Sequence, residues 1–314
     1  MSTNQSQIAF VTGANGFVGA NLVRLLIEKN YTVHILVRKN SGMWRLKKFL
    51  KNLRLHIGDI NNQSFLKQTI GNINPQYIFH LASYGNSSND TDLDEMINVN
   101  IAGLKNMLDA TRMINYKALV ITGSSSEYGF KNKPMKETDC LKPNSYYSAT
   151  KASATLIAQS FAILNNKPIF IARLFSAYGP YEENNRLIPT AIKLALADKE
   201  IPLTPKNVKR DFIYVQDVVE ALLKIAKTKL KNGEIINLGT GKQNGNNEII
   251  KTIEKVLQKK LKIKMGKFPN RTWDTNFWVA DIKKAKKLLS WTPKYDLEDG
   301  LKKTIDWFKT NEYK

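Results

Sequence analysis

Tyr147 and Lys151 stand four residues apart in the stretch Ser145–Ser160, SYYSATKASATLIAQS, which reads as the start of a helix. That spacing puts both on one helix face. A free phenol has a pKa of about 10 and is a poor proton acceptor at neutral pH. A neighbouring ammonium favours the phenolate and lowers that value by roughly 1–3 units. Such a phenol can exchange a proton with a hydroxyl or a ketone during hydride transfer. In a lysine-rich chain with twelve Tyr, one Tyr-x-x-x-Lys pair arises about once by chance. The pair gains weight only from the elements that would position it.

Those elements begin with Ile8–Thr12, a β-branched run that reads as a buried strand. Gly13-Ala-Asn-Gly16-Phe-Val-Gly19 follows, then NLVRLLIEKN with helical spacing. Strand, glycine turn and helix form the context of a dinucleotide fingerprint. Gly13 permits the tight turn, Gly16 lets the backbone approach a pyrophosphate, and Gly19 allows close helix–strand packing. The helix N-terminus supplies N–H donors and the positive end of its dipole. The second strand, Thr32–Val37, ends in Arg38-Lys39, where NAD-binding chains usually carry an acid for the ribose 2′-hydroxyl. A guanidinium can instead grip a 2′-phosphate bidentately, so the expectation is NADP(H), with NAD(H) possible.

The strand Leu53–Ile57 leads into Gly58-Asp59-Ile60, where Asp59 can accept from an adenine amine. The strand Gln76–His80 leads into Leu81-Ala82-Ser83, a small-residue turn that lets a cofactor lie close. His80, flanked by apolar residues, reads as core. Asp94–Met113 reads as one long helix carrying Asn100 and Gly103, and Leu119–Thr122 as the fifth strand. This alternation predicts an α/β fold with a doubly wound parallel sheet. Gly123-Ser-Ser-Ser-Glu-Tyr-Gly129 leaves the end of the fifth strand, where open α/β sheets place ligands. Ser124, 23 residues before Tyr147, can hydrogen-bond a reacting oxygen.

Taken together, Thr12-Gly-x-x-Gly-Phe-x-Gly19, Gly58-Asp59-Ile60, His80-Leu-Ala82, Asn100-x-x-Gly103, Ser124 and Tyr147-x-x-x-Lys151 resemble the extended short-chain dehydrogenase/reductases of the nucleotide-sugar epimerase/dehydratase type. Arg173–Pro180, Arg210–Asp217, Asn237–Gly241 and Val279–Ala285 are similar to later segments of that family, so the likeness spans nearly the whole chain. The resemblance implies a catalytic set of Ser124, Tyr147 and Lys151. It implies a cofactor site of Gly13, Asn15, Gly16, Phe17, Val18, Gly19, Arg38, Asp59, Ile60, Leu81, Ala82, Ser83, Asn100, Thr122, Tyr147, Lys151 and Phe175. It implies a nucleotide-diphosphate sugar held by Ser124, Ser125, Ser176, Arg210 and Arg271, the two arginines on the diphosphate.

Two departures narrow the chemistry. Sugar 4,6-dehydratases of the family place an acid directly after the hydroxyl residue or one place later. Here Ser125 and Ser126 stand there, and Glu127 is shifted by one residue. Ser176 replaces a common Asn. The expectation is therefore reduction of the C4 ketone of an NDP-4-keto-6-deoxy or 3,6-dideoxy hexose, tilted that way by Arg38. The alternative is an NDP-sugar 4-epimerase with tightly bound NAD. A non-catalytic cofactor-binding protein is disfavoured by the intact Ser124, Tyr147 and Lys151.

The architecture expected is a Rossmann doubly wound domain over residues 1–175, with 211–239 returning to it. A smaller C-terminal α/β substrate lobe would occupy the rest of 176–314. Leu104, Leu108, Ile157 and Phe161 exceed what one sheet face needs. They are either core or, as the resemblance implies, part of a homodimer's helix bundle.

Bulk properties agree with an ordinary globular chain. The 314 residues are 42% hydrophobic, enough for a large core. One cysteine, Cys140, excludes an internal disulfide and fits a reducing compartment. Three scattered His give no metal set. The N-terminus MSTNQSQ lacks an apolar signal core and no run is long enough for a membrane span, so the expectation is cytoplasmic. The net charge of +21 comes from dispersed lysines, not a nucleic-acid motif. A phosphate-bearing small molecule would still gain from the positive field.

Overall fold

In the computed structural model, short β-branched runs and amphipathic helices alternate through residues 6–85, 90–204, 208–266 and 275–310, the parts described below. The strands are β1 (Ile8–Thr12), β2 (Thr32–Val37), β3 (Leu53–Ile57), β4 (Tyr77–His80), β5 (Ala118–Ser124), β6 (Ile169–Leu174), β7 (Ser176–Tyr178), β8 (Ile201–Leu203), β9 (Lys209–Arg210), β10 (Phe212–Tyr214), β11 (Ile235–Leu238), β12 (Asn244–Gly245) and β13 (Ile263–Met265). The helices are α1 (Phe17–Glu28), α2 (Gln63–Ile73), α3 (Leu93–Ile97), α4 (Gly103–Thr111), α5 (Tyr146–Leu164), α6 (Leu187–Leu196), α7 (Val215–Lys227), α8 (Asn246–Leu257), α9 (Lys283–Leu289) and α10 (Leu297–Thr310).

Seven strands form one sheet in the order β11-β6-β5-β4-β1-β2-β3. β1 lies parallel to both β2 and β4, β2 to β3, and β4 to β5. The winding direction reverses between β1 and β4, which opens a crevice at their C-terminal ends. The doubly wound parallel sheet expected from the alternation is present.

The chain forms two units. One comprises residues 1–129, 141–173 and 219–236, the other 130–140, 174–218 and 237–314. In the first, Phe10, Leu36, Ile78, Leu119 and Ile171 from the sheet bury against Leu66, Ile70, Leu104, Met107, Leu108, Ala154 and Ala158 from α2, α4 and α5. A fully buried Leu or Ile of this kind contributes about 1.5–3 kcal/mol. In the second, α6, α8 and α10 close on β8 and β10 through Ile188, Ile192, Ile249, Ile253, Leu301 and Ile305.

Two expectations change in detail and one open choice closes. The helix read over 94–113 is α3 and α4 joined by a widened turn, Asn98–Ala102, of π geometry. Leu104 and Leu108 are core residues, fully covered within their own unit. The fifth strand runs on to Ser124, because Gly123 and Ser124 keep extended backbone before a capped turn. Among the described residues no helix is long and apolar enough to cross a membrane, and no cluster of His, Cys, Asp or Glu could hold a metal ion.

Candidate active site

The glycine turn leaves β1 at the crevice. Gly13 has φ +67°, and a Cβ there would lie 2.6 Å from the Ala82 backbone nitrogen. Gly19 is tighter: a Cβ would meet the Gly13 carbonyl oxygen at 2.0 Å. Gly16 is the N-cap of α1, with its N–H donating to Gly13 O at 3.1 Å and no side-chain cap on the helix. A Cβ at Gly16 would meet only Gly13 O, at 3.2 Å. The backbone donors of the uncapped first turn are thus available to an anion. The cradle fits a dinucleotide diphosphate, since two glycines close the turn and the third leaves its face clear.

The ends of three strands are tied beneath this turn. Thr12 Oγ1 lies 2.8 Å from His80 Nδ1 and accepts from Ala82 N at 3.3 Å, and Thr122 Oγ1 donates to His80 O at 3.4 Å. His80 is buried as expected, and burial, aided by the Lys151 cation, pushes its pKa down to about 3. It stays neutral and structural.

The α5 helix starts at a reciprocal cap in which Ser148 N donates to Ser145 Oγ and Ser145 N to Ser148 Oγ. Tyr147 follows in the first turn and is half-buried. Lys151, one turn on, is 5% exposed and donates from Nζ to the Thr122 carbonyl at 2.6 Å. Burial lowers its pKa to about 8, with Glu127 acting in the opposite direction. Ser124, two residues past Thr122, ends β5 half-buried, and its Oγ lies 2.7 Å from Ser126 Oγ. The end of β5 thus carries the Ser124 hydroxyl, the Thr122 carbonyl two residues before it receives the Lys151 ammonium from α5, and Tyr147 stands one turn before Lys151 on that helix.

Other expected residues divide by environment. Asn15 is half-buried in the glycine turn and reaches Gly42 O at 3.4 Å, while Phe17 and Val18 open α1 half-buried. Arg38 is exposed, with Nη1 3.8 Å from Glu95 Oε1. Asp59 is exposed and accepts from Asn61 N at 2.8 Å, as a turn residue does. The Ile60 side chain faces the core and only its backbone is left to meet a ligand; its carbonyl accepts from Asn106. Leu81 and Ala82 are half-buried and Ser83 exposed, after β4. Asn100 is buried and clamps the Tyr84 backbone in both directions while donating to Thr150 Oγ1 at 3.0 Å. Its amide positions α5 against the loop after β4. Ser125 is buried.

In the second unit Phe175 is buried and its N–H donates to Leu238 O, while Ser176 N donates to Asp211 O. Arg210 is half-buried, donates from Nη1 to Lys209 O and Thr275 O, and sits 5.2 Å from the centroid of the Trp278 ring. Asp211 beside it is fully buried and accepts from Thr240 N, Thr240 Oγ1, Gly241 N and Ala280 N. Arg271 lies outside the described residues.

Two features were missed in the sequence. Arg45 donates to the Asn15 carbonyl of the glycine turn at 3.2 Å and stacks on Trp44; the adjacent Trp-Arg pair was the available signal. In the sequence Glu127 stands out only by its displacement from Ser124. It is fully buried, paired with Arg173 at 2.8 Å, and accepts from Ser124 N at 2.7 Å. No single-sequence spacing links positions 46 residues apart.

The chain matches the family model described as GDP-mannose 4,6 dehydratase over residues 10–304. It is 32% identical over 315 residues to a UDP-glucuronate 4-epimerase of Thermodesulfobacterium geofontis, covering 96% of each chain. Its structure is similar to that of a Bacillus cereus UDP-glucuronic acid 4-epimerase solved with UDP-glucuronic acid and NAD, with TM-score 0.86, 26% identity, and 97% of this chain and 99% of that one covered. It is also similar to a Thermotoga maritima UDP-glucose 4-epimerase solved with UDP-glucose, with TM-score 0.88, 25% identity, and 97% and 99% covered. By these likenesses over nearly its whole length, the chain belongs to the GDP-mannose 4,6 dehydratase family, within the NAD-dependent nucleotide-sugar epimerases and dehydratases of the extended short-chain dehydrogenase/reductase type.

Proposed function

We propose that this enzyme is a nucleotide-sugar 4-epimerase that retains NAD and inverts C4 of a UDP-linked hexose or hexuronic acid. The observation that carries the reading is Lys151 of α5 anchored on Thr122 O, two residues from Ser124 and one turn after Tyr147, with serine at 125 and 126 and Glu127 turned inward onto Arg173. That arrangement offers proton exchange at one oxygen but no second acid to expel water, which argues against 4,6-dehydration. The similarity to 4-epimerases supports inversion better than one-way reduction of a 4-keto sugar. Reduction with NADPH is the second reading, favoured by Arg38 and Lys39.

Bound NAD supplies reversible hydride exchange at C4. The Tyr147 phenolate takes the C4 hydroxyl proton as the ketone forms, and the resulting phenol returns it as the alcohol is restored on the opposite face. Ser124 Oγ donates to that oxygen throughout. Lys151, anchored on Thr122 O, stabilises the phenolate form of Tyr147. In this reading the first unit holds the cofactor through Gly13, Asn15, Gly16, Phe17, Val18 and Gly19, with Arg38, Asp59 and Ile60 toward its adenosine. Leu81, Ala82, Ser83, Asn100, Thr122 and Phe175 shape the nicotinamide side, while Ser125, Ser176, Arg210 and Arg271 receive the nucleotide sugar. The reading includes a cytoplasmic homodimer through α5, whose Leu156, Ile163 and Leu164 are exposed; light scattering checks it.

The test is to incubate the purified enzyme with a panel of UDP-sugars and UDP-4-keto sugars, with and without added NADPH. Interconversion of C4 epimers without net nucleotide consumption is expected. Stoichiometric NADPH oxidation with a 4-keto sugar would replace epimerisation by reduction.

A further inference from the structure

Glu127 and Arg173 are 0% and 1% exposed, and they lie against the reacting groups without reaching the crevice. Arg173 Nε donates to Glu127 Oε2 at 2.8 Å, Arg173 Nη1 donates to Tyr128 Oη at 2.9 Å, and the guanidinium sits over the Tyr128 ring at 4.6 Å. The second carboxylate oxygen, Oε1, accepts from Ser124 N at 2.7 Å. Gly123 leaves room for it, since a Cβ there would lie 2.7 Å from Oε1.

A buried ion pair adds little stability over an apolar pair of the same volume. Its presence beside Ser124 therefore calls for another role. We propose that Glu127 is a positioning residue of this active site: it fixes Ser124 through the backbone N–H and supplies the negative charge that answers the buried Lys151, with Arg173 holding it in place. The inference concerns the Ser124, Tyr147 and Lys151 set and is independent of which nucleotide sugar is turned over.

The charge role follows from what surrounds Lys151. On β5 the ammonium meets the Thr122 carbonyl, a dipole without net charge. On β4 the neighbouring titratable group is His80, neutral with a pKa of about 3. On its own helix the neighbour is Tyr147. The turn after β5 contributes Glu127, the carboxylate that favours the Lys151 cation against burial. Tyr128 and Arg173 complete that network from the turn and from β6.

Two variants separate the roles. Glu127→Gln keeps an oxygen for Ser124 N and removes the charge; paired with Arg173→Met it removes both members of the ion pair, so no guanidinium is left buried without its carboxylate. Competitive acylation of Lys151, read by peptide mass spectrometry, gives its titration midpoint without any substrate. In the wild type the expected midpoint is about 8, and in the paired variant it falls by about one unit or more. The alkaline limb of kcat falls with it. Gly123→Ala displaces the carboxylate but keeps its charge: kcat drops about tenfold or more, KM is unchanged, and the Lys151 midpoint stays. A wild-type midpoint below about 7, or a paired variant with the wild-type midpoint, overturns the proposal. Should the paired variant fail to fold, the wild-type midpoint and Gly123→Ala decide.

Discussion

Replacing Gly16 by alanine separates a ligand cradle from a merely structural turn. The structure gives each glycine a different tolerance. At Gly19 a Cβ lies 2.0 Å from a carbonyl oxygen, where an ordinary contact begins near 3.4 Å. The 1.4 Å overlap involves backbone on both sides, so relief requires α1 to move off the turn. That costs about 3 kcal/mol or more, equivalent to roughly 6–12 °C in melting temperature. At Gly16 the added methyl meets one oxygen at 3.2 Å, and the N-cap change costs about 1 kcal/mol. The same methyl stands on the approach to the uncapped N–H groups of α1 and holds a diphosphate away from them. Losing one to two good charge-assisted hydrogen bonds raises the dissociation constant for NAD+ by about 10- to 100-fold. Melting curves and calorimetric titration of both variants with NAD+ provide the test. A Gly16→Ala enzyme that binds NAD+ within about twofold of wild type would refute the cradle and leave only a turn.

Other outcomes are as specific. Tyr147→Phe lowers kcat by about 10²–10⁴-fold with NAD+ affinity unchanged, measured by steady-state rates and titration on one preparation. Arg38→Ala weakens NADP+ about tenfold and leaves NAD+ unaffected, and Glu95→Gln strengthens NADP+ by removing the carboxylate 3.8 Å from that guanidinium; fluorescence titration reads both. His80 titrates near pH 3 when folded and near 6.5 when unfolded. As pH falls below 6.5 the unfolded chain binds a proton that the folded one refuses, so stability declines between about pH 6.5 and 3. Urea melts of His80→Gln over that range show a flatter decline.

The sheet and the helix that carries Tyr147 and Lys151 are legible because their signals are local. The β-branched runs, the glycine turn and the Tyr-x-x-x-Lys spacing each lie within one short window, and their order along the chain supplied the rest. Long-range partners were not legible. Thr12 and His80, Asn100 and Tyr84, and Glu127 and Arg173 meet only after folding, and single residues carry no mark of such meetings. Of the apolar residues left open between core and dimer face, Leu104 and Leu108 are covered within their own unit whereas Ile157 is exposed. Period alone does not distinguish a helix's inner face from one awaiting a partner. The preference for reduction over epimerisation rested on Arg38, an exposed side chain with an acidic neighbour. That neighbour, on α3, was invisible from the end of the second strand.

The widened turn at Asn98–Ala102 makes this part of the chain intolerant of length change. Removing one residue there would restore regular winding and re-aim the side chains inside the turn, Asn100 among them. Asn100 would let go of Tyr84 and Thr150, and α5 would lose its tether to the loop after β4. Gene libraries that permit single-codon deletions should therefore show a gap in survivors across these five positions, even though the segment lies on a helix where shortening is ordinarily absorbed by sliding.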